Sequence, residues 1–325
     1  MLTVYTPRGS SLEPLPLNPG EAIPEAAVWL DLVNPTIEED KLVEKLVGVA
    51  VPTREEMQEI EISSRLYIEG GARYMTATLM SQSDTPSPVT TPVSFILAGQ
   101  RLVTVRYDEP RPFAMTRHKL ARFCPANVTG QTVLMELLDA VIDRNADILE
   151  RVGAEVDQVS RRIFEQRRNR GATSRTYQGI LFTLGRKGDL CSKVRESLVS
   201  IGRLVLFMAH EDESMRWSKE VRAQLKTMQR DVQSLSDHAT YQTNNITFLL
   251  DAMVGLVSIE QNNIIKLFSV VAVVLMPPTL VASIYGMNFE HMPELKWSFG
   301  YPLALLAMII SSILPYVYFK WKKWL

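Results

Sequence analysis

The chain has 325 residues and a formal net charge of −1, with 35 Lys and Arg set against 36 Asp and Glu. That balance excludes the broad basic field of a general nucleic-acid binder. Cys124 and Cys191 are the only cysteines and form no CxxC, so no disulfide framework is expected and a reducing compartment fits; both read as buried apolar fillers.

Mean hydropathy near zero hides a split between a polar body and a very apolar final fifth. The start, Met1-Leu2-Thr3-Val4-Tyr5, has no basic region followed by an apolar core, so no signal peptide is expected. Residues 1–125 read as mixed α/β. Strand-like runs are Leu2–Thr6, Val28–Val33, Tyr74–Met80, Val93–Ala98 and Leu102–Tyr107, and Gly99-Gln100 is placed as the tight turn of a hairpin between the last two. Pro35 to Leu46 predicts a short helix with acids in its first turn. Thr53 and Glu56 predict a capping box opening another.

Residues 126–266 read as a helical stalk. No proline occurs between Pro125 and Pro277. Leu134, Leu138, Val141, Ile148, Val152, Val159 and Ile163 recur at spacings that put one buried stripe on a helix. Gly171-Ala172-Thr173-Ser174 ends it, a second helix runs to about Ala209, and Glu211 to Ser214 suggests another turn. The third helix starts near Met215 and shows no stop signal before Pro277. Continuous to Ile284, it would be a rod on the order of 100 Å. A helix that long needs buttressing, by its two predecessors or by copies of itself.

Residues 267–325 carry two apolar spans, Leu267–Ile284 and Phe299–Phe319, each at least as long as the roughly 18 residues that cross a bilayer as a helix. A short loop at 285–298 joins them. Lys266 precedes the first span, Lys320, Lys322 and Lys323 follow the second, and the loop carries Glu290, Glu294 and Lys296. Basic residues favour the cytoplasm, so both termini are expected inside and the loop outside. Trp297, Tyr301, Tyr316, Tyr318, Trp321 and Trp324 read as interfacial anchors.

Asn262, Ile265, Ser269, Ala272, Met276, Thr279 and Ser283 follow one another at intervals of 3 and 4. At about 100° per residue they share an arc of roughly 100° on the first span's helix. Small and weakly polar residues along a membrane helix suit either a pore wall or a helix–helix contact face. Pro277-Pro278 removes two N–H donors and suits either a packing kink or a hinge. The loop opens Tyr285-Gly286-Met287-Asn288, which can present backbone carbonyls and a side-chain amide oxygen to water. Several copies around an axis would form a ring of neutral oxygens, able to hydrogen-bond the hydration shell of a reluctantly dehydrated ion such as Mg²⁺.

Tyr285-Gly286-Met287-Asn288, Met292-Pro293-Glu294-Leu295-Lys296-Trp297 and the terminal Lys322-Lys323-Trp324-Leu325 resemble the CorA family of magnesium channels, most closely over Asn262 to Leu325. The resemblance implies an α+β membrane protein of the bacterial inner membrane. It would have a cytoplasmic α/β domain, long coiled-coil-like helices forming a funnel, and two C-terminal transmembrane helices. It implies a homopentamer whose first membrane helix lines the pore, with Gly286, Met287 and Asn288 as the selectivity entrance and Asn262 as a lower polar ring. Ile265, Phe268 and Met276 would form a hydrophobic gate that closes by dewetting. Glu290 and Glu294 would attract cations or simply be solvated. The terminal lysines would ring the inner mouth or meet lipid headgroups.

The resemblance also implies closure by intracellular Mg²⁺ bound between neighbouring subunits, by differential affinity for two states. Asp84 is the first candidate ligand; Asp231 and Asp237 are possible partners, each reading by default as a solvated charge. Co²⁺ and Ni²⁺ are plausible secondary cargo, and Zn²⁺ transport is a within-family alternative. A non-conducting membrane-anchored coiled-coil scaffold is the alternative of a different class. His118, His210, His238 and His291 are scattered, and no GxSxG, Walker A or HExxH motif appears, so no enzymatic activity is expected.

Overall fold

Among the described residues of the N-terminal part, seven strands form one sheet in the order β2-β1-β3-β7-β6-β5-β4. The computed structural model describes residues 1–17, 21–125, 127–165, 174–210, 217–288 and 292–322. It divides into two units, Met1–Leu249 and Leu250–Leu325. The strands are β1 (Leu2–Arg8), β2 (Ser11–Pro16), β3 (Trp29–Val33), β4 (Leu66–Glu69), β5 (Ala72–Ser81), β6 (Val89–Ala98) and β7 (Arg101–Arg106). Every neighbouring pair is antiparallel except β3 and β7.

All five strand-like runs appear as strands, and the hairpin closes where expected. Ala98 pairs with Arg101, and Gly99 between them adopts φ +57°, a left-handed conformation that glycine takes at no steric cost. The reading of the sequence lacked β2 and β4. Both are edge strands: β2 carries Pro14 and Pro16, tolerated only where no ladder N–H is needed, and β4 is four residues long. It also lacked α4 (Arg111–Arg122), which begins with a proline in its first turn.

Helices cover both faces of the sheet. On one face Leu30, Leu32, Tyr74, Ile96, Val103 and Val105 join Val43 of α1 (Ile37–Val47) and Met57 of α2 (Arg54–Gln58) in one core. The capping boxes Thr36–Glu39 and Thr53–Glu56 open these two helices. A short α3 (Ile62–Arg65) leads into β4. On the other face Trp29 and Phe95 meet Phe113 of α4. With both faces covered, β5 is buried at every position.

The parallel β3–β7 pair is pinned by a buried ion pair. Arg106 donates from Nη2 to Asp31 Oδ2 at 2.9 Å and from Nε to Oδ1 at 3.0 Å, with side chains 0% and 1% exposed. Thr104 donates to Asp31 Oδ1 at 2.8 Å and accepts from Trp29 Nε1 at 2.9 Å. Arg106 Nη1 reaches the Asp108 carbonyl, and its guanidinium lies 4.6 Å from the Phe113 ring centroid. The network uses the charged fork's donors, as a buried charge requires.

Three long helices follow: α5 (Gly130–Glu165), α6 (Ser174–Ala209) and α7 (Lys219–Tyr285). All seven residues of the expected α5 stripe are buried. The break before Ser174 and the turn at 211–214 lie outside the described residues. Helix α7 runs unbroken for 67 residues, about 100 Å at 1.5 Å per residue. It starts a little later than expected, where Ser218 Oγ accepts from Val221 N–H. Cys124 and Cys191 are buried as expected, and burial raises both thiols' pKa, that of Cys191 to about 11.

Candidate functional site

Among the described residues two helices are long and apolar enough to cross a membrane: α7, which continues into the second unit, and α8 (Gly300–Trp321). A 3₁₀ turn, Pro293–Lys296, precedes α8. The two prolines of α7 do not interrupt it. Pro278 has no N–H to offer the Val274 carbonyl four residues back. That carbonyl instead accepts a hydrogen bond from Ser312 Oγ of α8 at 3.1 Å. Thr279 Oγ1 bonds back to the Leu275 carbonyl in the same turn. The Ser312 hydroxyl thus satisfies a carbonyl that proline frees, as a membrane interior demands.

This contact orients α7. Val270 is buried, and Val274, Pro277, Pro278 and Val281 are half-buried. Asn262, Ile265, Ser269, Ala272, Met276, Thr279 and Ser283 are all exposed. At about 100° per residue, the two sets lie on opposite sides of the helix, with centres roughly 150° apart. The small and weakly polar stripe is therefore not the face that meets α8, so the only helix–helix contact left open to it is with another chain. Phe268, at the edge of the stripe, is also exposed.

The Ser312 hydroxyl escaped the reading of the sequence, although a proline four residues after Val274 announces a carbonyl needing a donor. Replacing Ser312 with valine should lower the melting temperature of the detergent-solubilised chain by a few degrees, since an orphaned buried carbonyl costs about 1–3 kcal/mol. Melting unchanged within about a degree would remove this role.

The turn beyond α7 is tight. Gly286 N–H donates to the Ala282 carbonyl at 3.0 Å and Met287 N–H to the Ile284 carbonyl at 3.3 Å. A Cβ at Gly286 would lie 3.1 Å from the Ala282 oxygen, so a side chain there crowds backbone rather than open space. Met287 and Asn288 are exposed at the end of the stripe's helix. Glu290 and His291 lie outside the described residues, as does the side chain of Glu294.

The three acids proposed for regulation are not brought together. Asp84 sits among arginines: Arg144 at 2.8 Å, with Arg151 and Arg111 also paired to it. Asp231 and Asp237 are exposed on α7, and Asp237 accepts from Gln233 at 3.0 Å. Among the described residues no three His, Cys, Asp or Glu side chains gather as a metal site.

Burial acts to raise the Asp84 pKa, but hydrogen bonds from Arg151 and Arg144 and the charges of Arg144 and Arg111 outweigh it, leaving the carboxyl below its ordinary value. A depressed folded value stabilises the fold above the unfolded pKa, and that contribution disappears as pH falls through the folded value. Wild type should therefore lose more stability than Asp84→Asn as pH drops below about 4, the ordinary carboxylate value. Melting curves between about pH 6 and 3 check this; parallel slopes would contradict it.

Comparisons with known proteins agree with this architecture. A family model described as CorA-like Mg²⁺ transporter protein matches residues 24–322. The magnesium transport protein CorA of Escherichia coli K12 is 36% identical over 299 residues, covering 92% of each chain, and that of Salmonella typhimurium LT2 matches to the same extent. The solved CorA magnesium transporter of Methanocaldococcus jannaschii superposes with a TM-score of 0.76 over 100% of this chain and 99% of its own, at 17% identity, which speaks for the fold.

Proposed function

From the premise that this chain belongs to the CorA-like Mg²⁺ transporter family, we propose that it is a homopentameric channel passing Mg²⁺ into the cytoplasm across the bacterial inner membrane. The observation that carries the reading is the stripe from Asn262 to Ser283: it is exposed, points away from α8, and leads to the Gly286-Met287-Asn288 turn. Copies of α7 arranged around an axis would turn that stripe inward and gather the Asn288 amides at one end. Uncharged oxygens suit an ion that keeps its waters. Ile265, Phe268 and Met276 supply the apolar constriction that closes by dewetting.

No chemical fuel is needed. A divalent cation moving down about 100 mV gains roughly 4.6 kcal/mol, twice the single-charge value. Closure by internal Mg²⁺ belongs to the same reading. Asp84 would take part only by exchanging its arginines for the ion, with Asp231 or Asp237 of a neighbouring copy as partner.

Purified full-length chain in vesicles containing a Mg²⁺-sensitive dye tests the reading. The expected result is Mg²⁺ influx that grows with inside-negative potential, from a particle of five chains. Flux no greater than in empty vesicles would favour a scaffold. Preferred flux of Co²⁺, Ni²⁺ or Zn²⁺ over Mg²⁺ would move the cargo assignment within the family.

A further inference from the structure

One face of α6 carries Ser192, Arg195, Glu196, Val199, Ser200 and Arg203, at intervals of three and one along the helix. They form one wall of a cleft of about 560 Å³. Arg65 of α3, Thr78 of β5 and Thr243 of α7 face them across it. The volume lies in the range of small-molecule sites, roughly 300–1,000 Å³.

The charges in this cleft do not balance. Three guanidiniums share it with one carboxylate, Glu196. Elsewhere in this unit Asp31 holds Arg106, and Asp84 holds Arg111, Arg144 and Arg151. Among the described residues Arg65, Arg195 and Arg203 have no ion-pair partner.

Arg65 is half-buried and held in place. It donates to the Glu59 carbonyl and, from Nη1, to Thr78 Oγ1 at 3.0 Å. Thr78 N–H in turn donates to Ser200 Oγ at 2.9 Å, tying β5 to α6 at the cleft. Burial lowers the Arg65 pKa; Glu196 opposes this and Arg203 adds to it. A fixed, partly desolvated guanidinium beside two exposed ones is the arrangement that a multivalent oxyanion satisfies.

We infer that this cleft binds a small phosphate-bearing anion, gripped by Arg65, Arg195 and Arg203, with the Ser200 hydroxyl, which accepts from Thr78 N–H and keeps its own proton, as a further donor. Guanidinium forks match phosphate oxygens in pairs, and three forks converging on one cavity suit a phosphate chain better than a lone carboxylate. All the residues of the site belong to the first unit, and the proposal holds whether or not the chain conducts Mg²⁺.

Titration calorimetry of the full chain in detergent tests this. The buffer is Mg²⁺-free, with ionic strength matched by sodium chloride, and the probes are inorganic phosphate, pyrophosphate and ATP. Saturable binding of pyrophosphate is expected, weakened at least about tenfold in Arg195→Gln/Arg203→Gln. Both positions are exposed helix surface, so the double variant should keep its melting temperature. Equal affinity for pyrophosphate and ATP would identify the phosphate chain alone as ligand. Tighter ATP binding would identify a nucleotide, with the exposed Ile60 and Val199 at the rim as its apolar contact. Absence of saturable binding, or equal affinity in wild type and double variant, overturns the proposal. So does a double variant whose only change is the mass of the assembled particle, since the cleft would then be a contact between copies.

Discussion

Replacing Asn288 with alanine should reduce Mg²⁺ uptake at least tenfold while leaving the folded chain intact. The Asn288 side chain is exposed at the turn, and no hydrogen bond to it occurs among the described residues. Its amide oxygen is a neutral acceptor suited to the waters around an ion. A hydrogen bond contributes about 1 kcal/mol net. A ring of identical copies loses it at every position together, and about 1.4 kcal/mol is already a factor of ten. Growth of cells lacking other Mg²⁺ uptake, scored against external Mg²⁺, is the direct measurement, with protein level and melting temperature as controls. Equal rescue by wild type and Asn288→Ala would remove the turn from the mechanism.

The largest stability effect should come from Asp31. Removing its carboxylate by Asp31→Ala leaves Arg106 charged and fully buried beside Phe113. Breaking one side of such a pair costs about 3–5 kcal/mol. For a unit of this size that corresponds to a drop of roughly 10 °C in melting temperature. Replacing both partners, as Asp31→Leu with Arg106→Met, should recover most of the loss, because apolar pairs of similar volume are often neutral or better at such sites. Thermal melting of the full chain in detergent checks both. Recovery would separate the cost of an uncompensated charge from any special worth of the ion pair. A single variant melting within about a degree of wild type would contradict this account of the β3–β7 seam.

Much of this architecture was legible because its signals are local. Two apolar spans, a proline-free stretch of helical periodicity, two capping boxes and a Gly-Gln hairpin turn each declare themselves within a few residues. The edge strands β2 and β4 were not legible. Prolines at 14 and 16 give no strand signal, and only pairing with β1 makes Ser11–Pro16 a strand. The stripe from Asn262 to Ser283 was visible as a spacing, but its direction was not. That needed Ser312, 38 residues from Val274 in sequence, to fix which side of α7 meets α8. Asp84 was found as an isolated acid, yet its arginines come from α4 and α5, and sequence distance concealed them. Contacts between distant residues, rather than composition or period, account for what the sequence withheld.

The two native sulfhydryls carry a practical consequence. Cys191 is wholly enclosed and Cys124 is 5% exposed, and burial holds both in the unreactive protonated form. The natural chain is thus nearly silent toward water-borne maleimides or methanethiosulfonates. Single cysteines introduced one at a time between Asn262 and Ser283 would report on their own surroundings without removal of the endogenous pair. A reactivity pattern repeating every three or four positions would trace the wetted side of the helix directly.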